Sequence, residues 1–361
     1  MRNRNHCTIK LTLLSLILVA LAGCGPLYTY YASWEMNDEG NDVSSPQPLG
    51  KDEFAVTIAR KFGLMALFAE VAYRKDIEEE TRDELACSYI QSGEKETFGM
   101  PQPDAFGHWE RWHGTQSVRG CVNESGLFFE TYVYRNKDNQ LEEAVIAFRG
   151  TENRKGQTLK DWKTNMVAAF GFEPKQYEIA KNHIPNLIAA LLAERKDKII
   201  PIYAVGHSLG GGLAQQSGYQ SKRIFQVITF NTSPITNWSH LRTAGEVKNR
   251  YPNIFRIYHN GEILEKLRFI STSFTSTRYG RYDLGVQFMP KSILTGHSMS
   301  IFACVFAALV AGDDSAEADH HFTRAAAKDV LENKWICNED SEKGKANKAE
   351  YDKIMKAWKQ S

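Results

Sequence analysis

One stretch constrains the rest of the chain more than any other: Val205-Gly206-His207-Ser208-Leu209-Gly210-Gly211-Gly212, a serine set between glycines. The run before it, Ile199 to Val205, is apolar and rich in β-branched residues, and predicts a short buried strand. Behind it, Leu213 to Tyr219 can continue as a helix. Strand, glycine-flanked serine, helix is the context in which G-x-S-x-G carries chemistry; without those flanks it is a glycine-rich turn with an idle serine. A turn this tight leaves no room for side chains beside the serine, hence glycine at 206 and 210. Such a turn would hold the Ser208 hydroxyl at the end of a sheet. The unbonded N–H groups of the following helix would then face the reacting centre.

The surrounding pattern suits a sheet of that kind. Leu127–Tyr134 and Glu143–Phe148 read as strands joined through Lys137-Asp138-Asn139, and the second runs into Arg149-Gly150-Thr151. Tyr177 to Arg195 predicts a helix despite Pro185, and delivers the chain to the serine strand. Ile224–Phe230 and Ile254–Tyr258 are two further strands. Strands alternating with helices predict an α/β fold with a mostly parallel central sheet and helices on both faces. In such sheets function gathers at the carboxyl ends of the strands, and those ends offer Thr151, Ser208, Asn231 and Glu262.

Other segments are expected to support this core. Asp52 to Tyr73 has apolar residues at helical spacing (Phe54, Ile58, Phe62, Met65, Phe68, Val71) and predicts a helix, with Asp52 as a possible cap. Met299 to Ala311 is strongly apolar but short of the roughly 20 residues a membrane span needs, so a buried core helix is expected. The acidic run at 76–84 reads as solvated surface. Gly93 to Gly120, rich in Gly, Pro and aromatics, reads as a loop, either facing substrate or covering the domain. His108 and His113 lie within it, and His320-His321 stand near Asp314 and Asp319. Neither pair has compelling metal-ligand spacing, and the His320-His321 stretch reads as a surface turn. No metal or cofactor is expected.

The first residues read differently. Arg2, Arg4 and Lys10 precede an apolar core from Leu11 to Ala20, ending in Leu21-Ala22-Gly23-Cys24. That end resembles the lipobox of bacterial lipoproteins, which implies lipidation of Cys24 and, with Gly25 following, an outer-membrane address in the cell envelope. An ordinary secretory signal cleaved elsewhere is the alternative. Residues 1–23 would then be a signal peptide and 24–50 a lipidated cysteine and tether. Residues 51–312 would form the main domain, and 313–361 a charged C-terminal extension. Outside the signal, Cys87, Cys121, Cys304 and Cys337 remain. In an exported chain they allow two disulfides in three connectivities. Cys87–Cys121 with Cys304–Cys337 is preferred because each closes a local segment, while Cys304 could equally be a buried thiol. A formal net charge of +1 gives no sign of a nucleic-acid partner.

Taken in order, these blocks resemble the class 3 lipases, the group that includes the fungal triacylglycerol lipases, over roughly residues 55–310. Phe148-Arg149-Gly150-Thr151 is similar to that family's F-R-G-[ST] block, and Asp161-Trp162 with Asn165 to its D-W-x-x-N block. Gly206 to Gly211 matches the nucleophile block. Thr229-Phe230-Asn231-Thr232-Ser233-Pro234 resembles T-F-G-x-P, with asparagine in place of glycine. Phe255 to Glu262 is similar to the segment that delivers the triad acid, and His297 stands where the family places its histidine. The family's acid is usually aspartate; here it is Glu262, with Asp283 as a rival. Residues 152–160, where a lid would begin, carry Arg154, Lys155 and Lys160 and little apolar surface.

The resemblance implies an α/β-hydrolase in which Ser208 is the nucleophile, His297 its base and Glu262 the acid that orients the base. It also implies an oxyanion hole from the backbone N–H groups of Leu209 and Thr151. His207 reads as structural. The expected substrate is a lipid ester and the expected activity that of a lipase or phospholipase A1. The protein would be a monomer held to a membrane by its N-terminal anchor. A hydrolase fold kept as a binding module, or an acyltransferase, remains open on sequence alone.

Overall fold

A computed structural model describes residues 53–91, 97–150, 174–235, 237–249, 251–259, 261–264, 281–286, 295–313, 319–332 and 337, with the backbone of 30–31. Its strands are β1 (Tyr30–Tyr31), β2 (Gly107–Arg111), β3 (Cys121–Glu124), β4 (Leu127–Asn136), β5 (Leu141–Phe148), β6 (Ile202–His207), β7 (Ile224–Phe230), β8 (Ile254–His259) and β9 (Arg281–Val286). The helices are α1 (Glu53–Val71), α2 (Arg82–Leu85), α3 (Lys175–Glu194), α4 (Leu209–Gln220), α5 (Trp238–Thr243), α6 (Met299–Gly312) and α7 (Arg324–Glu332). Among the described residues all nine strands join one sheet in the order β1-β9-β8-β7-β6-β5-β4-β2, with β3 also paired to β4. From β5 through β9 to β1 every neighbouring pair is parallel; β2, β3 and β4 form the antiparallel margin.

Alternation along the strands divides the core into two layers. On β5, Val145 and Ala147 face one layer while Ala144, Ile146 and Phe148 face the other. On β6, Tyr203 and Val205 are set against Ile202 and Ala204 in the same way. Helices α1, α6 and α7 supply the first layer with Phe62, Met65, Phe68, Phe302, Phe306 and Ala327. Helices α3 and α4 supply the second with Tyr177, Ile184, Leu187, Leu213 and Tyr219. Each of the large apolar side chains so buried is worth about 1.5–3 kcal/mol relative to exposure. A mostly parallel sheet between two helical layers, with a serine turn joining β6 to α4, is the α/β-hydrolase fold.

The α6 helix is apolar all round because it is buried all round, from Met299 to Ala311. Among the described residues no helix is long and apolar enough to cross a membrane. Two disulfides, Cys87–Cys121 and Cys304–Cys337, have the preferred pairing. Each closes a loop whose chain entropy corresponds to about 3–4 kcal/mol. The second ties α6 to residues beyond α7, and Phe322, Ala326, Ala327 and Val330 join the core. Part of the segment expected as an extension from 313 is therefore packed into the domain.

Several expectations need correction. The stretch 93–120 is not all loop: it contains β2, which pairs along β4 from Gly107↔Asn136 to Arg111↔Tyr132, and it buries Trp109 and Trp112. Its Gly and Pro content concealed a short edge strand. Ile199, placed in the serine strand, lies before β6 and is 73% exposed. The acidic run at 76–84 is not uniformly solvated. Asp76 accepts from buried Arg74, which also lies 3.5 Å from Glu130, and Arg111 donates to Glu130 at 2.8 Å. Tyr30–Tyr31, within the expected tether, pairs with the edge of β9. His320 and His321 are a turn, but one fastened to the sheet. Their Nδ1 atoms lie 2.6 Å from Glu143 Oε1 and 2.9 Å from Asp104 Oδ2.

Candidate active site

Ser208 sits between the end of β6 and the start of α4 with φ 55° and ψ −125°, a conformation non-glycine residues rarely adopt. Such backbone costs on the order of 1–3 kcal/mol and persists only where its surroundings enforce it. The enforcement is visible. Ser208 N–H donates to the Phe230 carbonyl on β7 at 3.1 Å, while its own carbonyl accepts from Gly211 N–H at 3.1 Å and Ser233 N–H at 2.9 Å. A Cβ on Gly206 would lie 2.3 Å from the Gly210 carbonyl oxygen, and one on Gly210 2.2 Å from that of Phe148. Both contacts are with backbone and cannot relax cheaply. The turn is as tight as the sequence requires.

Three side chains meet at this turn. Ser208 Oγ lies 3.1 Å from His297 Nε2, and His297 Nδ1 lies 2.7 Å from Glu262 Oε2. The carboxylate can only accept, so Nδ1 carries the ring proton and Nε2 is left to accept from the serine. Glu262 is buried, and its Oε2 also accepts the Leu264 N–H at 2.9 Å. His297 ends a single turn of 3-10 helix just before α6 and keeps 17% of its side chain exposed. The imidazole can therefore be reached from solvent while the carboxylate cannot.

Asp283, the rival acid, is on β9 directly across from Arg256 on β8, and both of its oxygens accept from that guanidinium. Burial opposes the charge on Arg256, and Asp283 more than offsets it, so the arginine's pKa is raised. Asp283 is thus committed to a cross-strand ion pair, whereas Glu262 faces the histidine.

Asn231 explains itself once its backbone is seen. Its φ is +41°, a left-handed conformation that glycine or asparagine adopts most readily. Its side chain accepts the His259 N–H at 2.8 Å and donates to the Gly296 carbonyl at 2.8 Å. A glycine would satisfy the backbone but could not tie β8 to the loop carrying His297. Leu209 opens α4, with its N–H in the unbonded first turn. At the end of β5, a Cβ on Gly150 would lie 3.0 Å from Ser208 Cβ, so the chain passes beside Ser208 there. Thr151 lies outside the described residues, as do Cys24, the stretch 152–160, Asp161, Trp162 and Asn165.

Residues 102–279, just under half of the chain, match the sequence model of a phospholipase-like family, the Tle-like phospholipase domain. No curated protein matches the chain in sequence. Among solved structures, the extracellular lipase LipA of Serratia marcescens is similar at 16% identity and a TM-score of 0.30. It covers 62% of this chain, and this chain spans 42% of its length. Acetyl xylan esterase 1 of a Thermoanaerobacterium species is similar at 11% identity and a TM-score of 0.27, covering 61% of this chain and 88% of its own. Scores so low add nothing to the topology already described.

Sequence reasoning missed the partners of His207. The residue is buried, and it is bonded to Tyr73, 134 positions earlier, and to the backbone of His297, 90 positions later. No local pattern links residues so far apart. The spacing of Tyr73 at the end of a predicted helix was the only hint, and it points to packing. Among the described residues, no group of His, Cys, Asp and Glu could hold a metal ion.

Proposed function

We propose that the protein is a serine hydrolase of lipid esters, a lipase or phospholipase A1, working through Ser208, His297 and Glu262 and a covalent acyl-enzyme. The observation that carries this reading is the unbroken line of hydrogen bonds from Ser208 Oγ through His297 to buried Glu262, built on a strained nucleophile turn. The phospholipase-like match over residues 102–279 supports the substrate class. As Ser208 attacks the ester carbonyl, His297 Nε2 takes its proton, and Glu262 stabilises the imidazolium that forms. The tetrahedral oxyanion would be met by the N–H groups of Leu209 and Thr151, each worth about 3 kcal/mol in the transition state. His297 then returns the proton to the departing alcohol. Water, deprotonated by the same base, releases the fatty acid.

We place the enzyme on a membrane by a lipid on Cys24, most simply at the outer membrane of a bacterial envelope. The similarity of its sequence blocks to class 3 lipases belongs to the same reading. Mass spectrometry of the mature N-terminus checks the anchor: a diacylated Cys24 is expected, and an unmodified N-terminus elsewhere rejects it. The activity is tested on the detergent-solubilised full chain with a fluorophosphonate probe followed by peptide mapping. A label on Ser208 that is lost in His297→Ala is expected, together with fatty acid release from phospholipid or triacylglycerol micelles. A folded sample that takes no label and releases no fatty acid refutes the reading.

A further inference from the structure

The pair Tyr73–His207 stands behind the catalytic line without belonging to it. His207 Nε2 lies 2.7 Å from the carbonyl oxygen of His297, and its Nδ1 lies 2.6 Å from the Tyr73 hydroxyl. A carbonyl only accepts, so Nε2 must carry the proton; Nδ1 then offers a lone pair, and the Tyr73 O–H must donate to it. Each bond fixes the direction of the other. The two imidazole rings lie 4.8 Å apart between centroids, tilted by 46°. The Tyr73 hydroxyl also lies against the end of β5, 2.7 Å from where a Cβ on Gly150 would stand. Three separate chain segments thus converge on His207: the turn after α1, the exit of β5 and the loop of His297.

We infer that His207 and Tyr73 are positioning residues, a two-part strut that holds the backbone of His297, and with it Nε2, at the distance from Ser208 that proton transfer needs. The inference rests on the hydrolase reading for its catalytic consequence but not for its geometry. The Ser208–His297 bond is already 3.1 Å, near the long end for a useful hydrogen bond, so a small retreat of the loop breaks it. A displacement of about 1 Å at such a site costs on the order of 100-fold in rate. The strut must also be uncharged, because a second imidazolium beside His297 would oppose the one formed during attack. The burial of His207 and its nearness to His297 both favour the neutral ring. Of its neighbours, Lys75 acts in the same sense, and Glu262 in the opposite one.

The substitutions separate the two bonds. His207→Gln keeps an N–H donor about where Nε2 stood, whereas His207→Leu keeps only volume. Tyr73→Phe leaves the Nε2 donor in place but removes the bond that holds the other side of the ring. On the detergent-solubilised full chain, Ser208 labelling by the fluorophosphonate is expected to slow about 100-fold in His207→Leu and about 10-fold in Tyr73→Phe. In His207→Gln it should stay within about threefold of wild type. ¹⁵N spectra of the histidine-labelled protein give a readout that needs no activity. His207 should show the Nε2–H tautomer and no titration from pH 5 to 8, and the His297 ring signals should move in His207→Leu but not in His207→Gln. A His207 that titrates in that range, a His207→Leu that labels at the wild-type rate, or a His207→Gln as slow as His207→Leu overturns the inference. If Ser208 is never labelled while the spectra behave as expected, the strut stands and the hydrolase reading fails.

Discussion

The two ends of one sheet are built by opposite rules. At the carboxyl end, Ser208, Asn231, His259 and Glu262 are polar and at most 3% exposed. Ser208 and Asn231 also hold positive φ angles. At the amino end, Ile199, Phe225 and Tyr251 are apolar and 73%, 53% and 63% exposed. The charges there meet in pairs near water, Glu142 with Arg195 and Lys198, and Arg135 with Glu110 and Glu194. A cavity of about 940 Å³ also opens at that end, between α3 and the loop after β2, lined by His113, Arg135 and Glu194 among others. The left-handed residues at that end, Asn139, His320 and His321, lie in turns, and His320 is paired with Glu143. Burying polar groups and bending backbone both cost stability, and a fold bears those costs only where placement matters. Where they concentrate is a better guide to the site than an open cavity.

The sharpest way to break this contrast is to remove the group everything at the carboxyl end serves. Ser208→Ala is expected to lower ester turnover by more than about 10⁴-fold, while unfolding free energy stays within about 1 kcal/mol. Hydrolysis assays beside a urea titration read both. Substantial residual turnover would mean that the strain serves something else.

Next comes a pair of carboxylates that the contrast treats differently. Glu262→Gln keeps the hydrogen-bond geometry but cannot balance the imidazolium, and should lose about 10²–10⁴-fold in kcat/KM with little change in stability. Asp283→Asn leaves Arg256 buried without its partner, so it should cost about 3–5 kcal/mol of stability while the folded fraction still labels at Ser208. The opposite pattern, a stable but inactive Asp283→Asn with an active Glu262→Gln, would make Asp283 the acid.

These residues also show how far the sequence could be read. The serine turn was legible because its glycines answer to local sterics: what forbids a Cβ at 206 or 210 lies within a few residues in sequence or one strand away. Strands β4, β5, β7 and β8 and helices α1, α3 and α6 were legible from periodicity, because each carries a run or stripe of apolar residues that the core buries. Strand β9 was not: it carries Arg281 and Asp283 in sequence, and the ion pair across to Arg256 is what lets Asp283 lie inside. Strand β2 was hidden by flanking Gly and Pro. The left-handed backbone of Asn231 stood out only as a departure from a family pattern, and the Tyr73–His207 contact left only a helical spacing that points to packing. What escapes sequence reading here is pairing between distant residues, since neither partner alone differs from an ordinary core residue.

A smaller effect separates the ends by pH. His207 is held neutral, its pKa well below the usual histidine range, by burial first and by His297 second. In the unfolded chain it titrates near 6.5. Below that pH the unfolded state therefore takes up a proton that the folded state refuses, so stability falls as pH drops and is level above it. The slope contributed is at most about 1.4 kcal/mol per pH unit. Urea titrations at pH 5 and pH 7.5 should show a difference that shrinks in His207→Gln. An unchanged difference would assign it to other groups.

The smallest expected effect tests the permissive end. Phe225 projects from the start of β7, about as far from Ser208 as the strand allows, and its ring stands edge-to-face with Tyr203, centroids 5.7 Å apart. Phe225→Ser gives up little burial, leaves no cavity and breaks no side-chain hydrogen bond, since the residue is already 53% exposed. Stability should stay within about 0.5 kcal/mol and the rate of Ser208 labelling should not change. A drop in labelling with no drop in stability would be the informative failure. It would mean that the two ends are coupled through β6 and β7, and that the tolerance read from exposure at one end does not hold for function at the other.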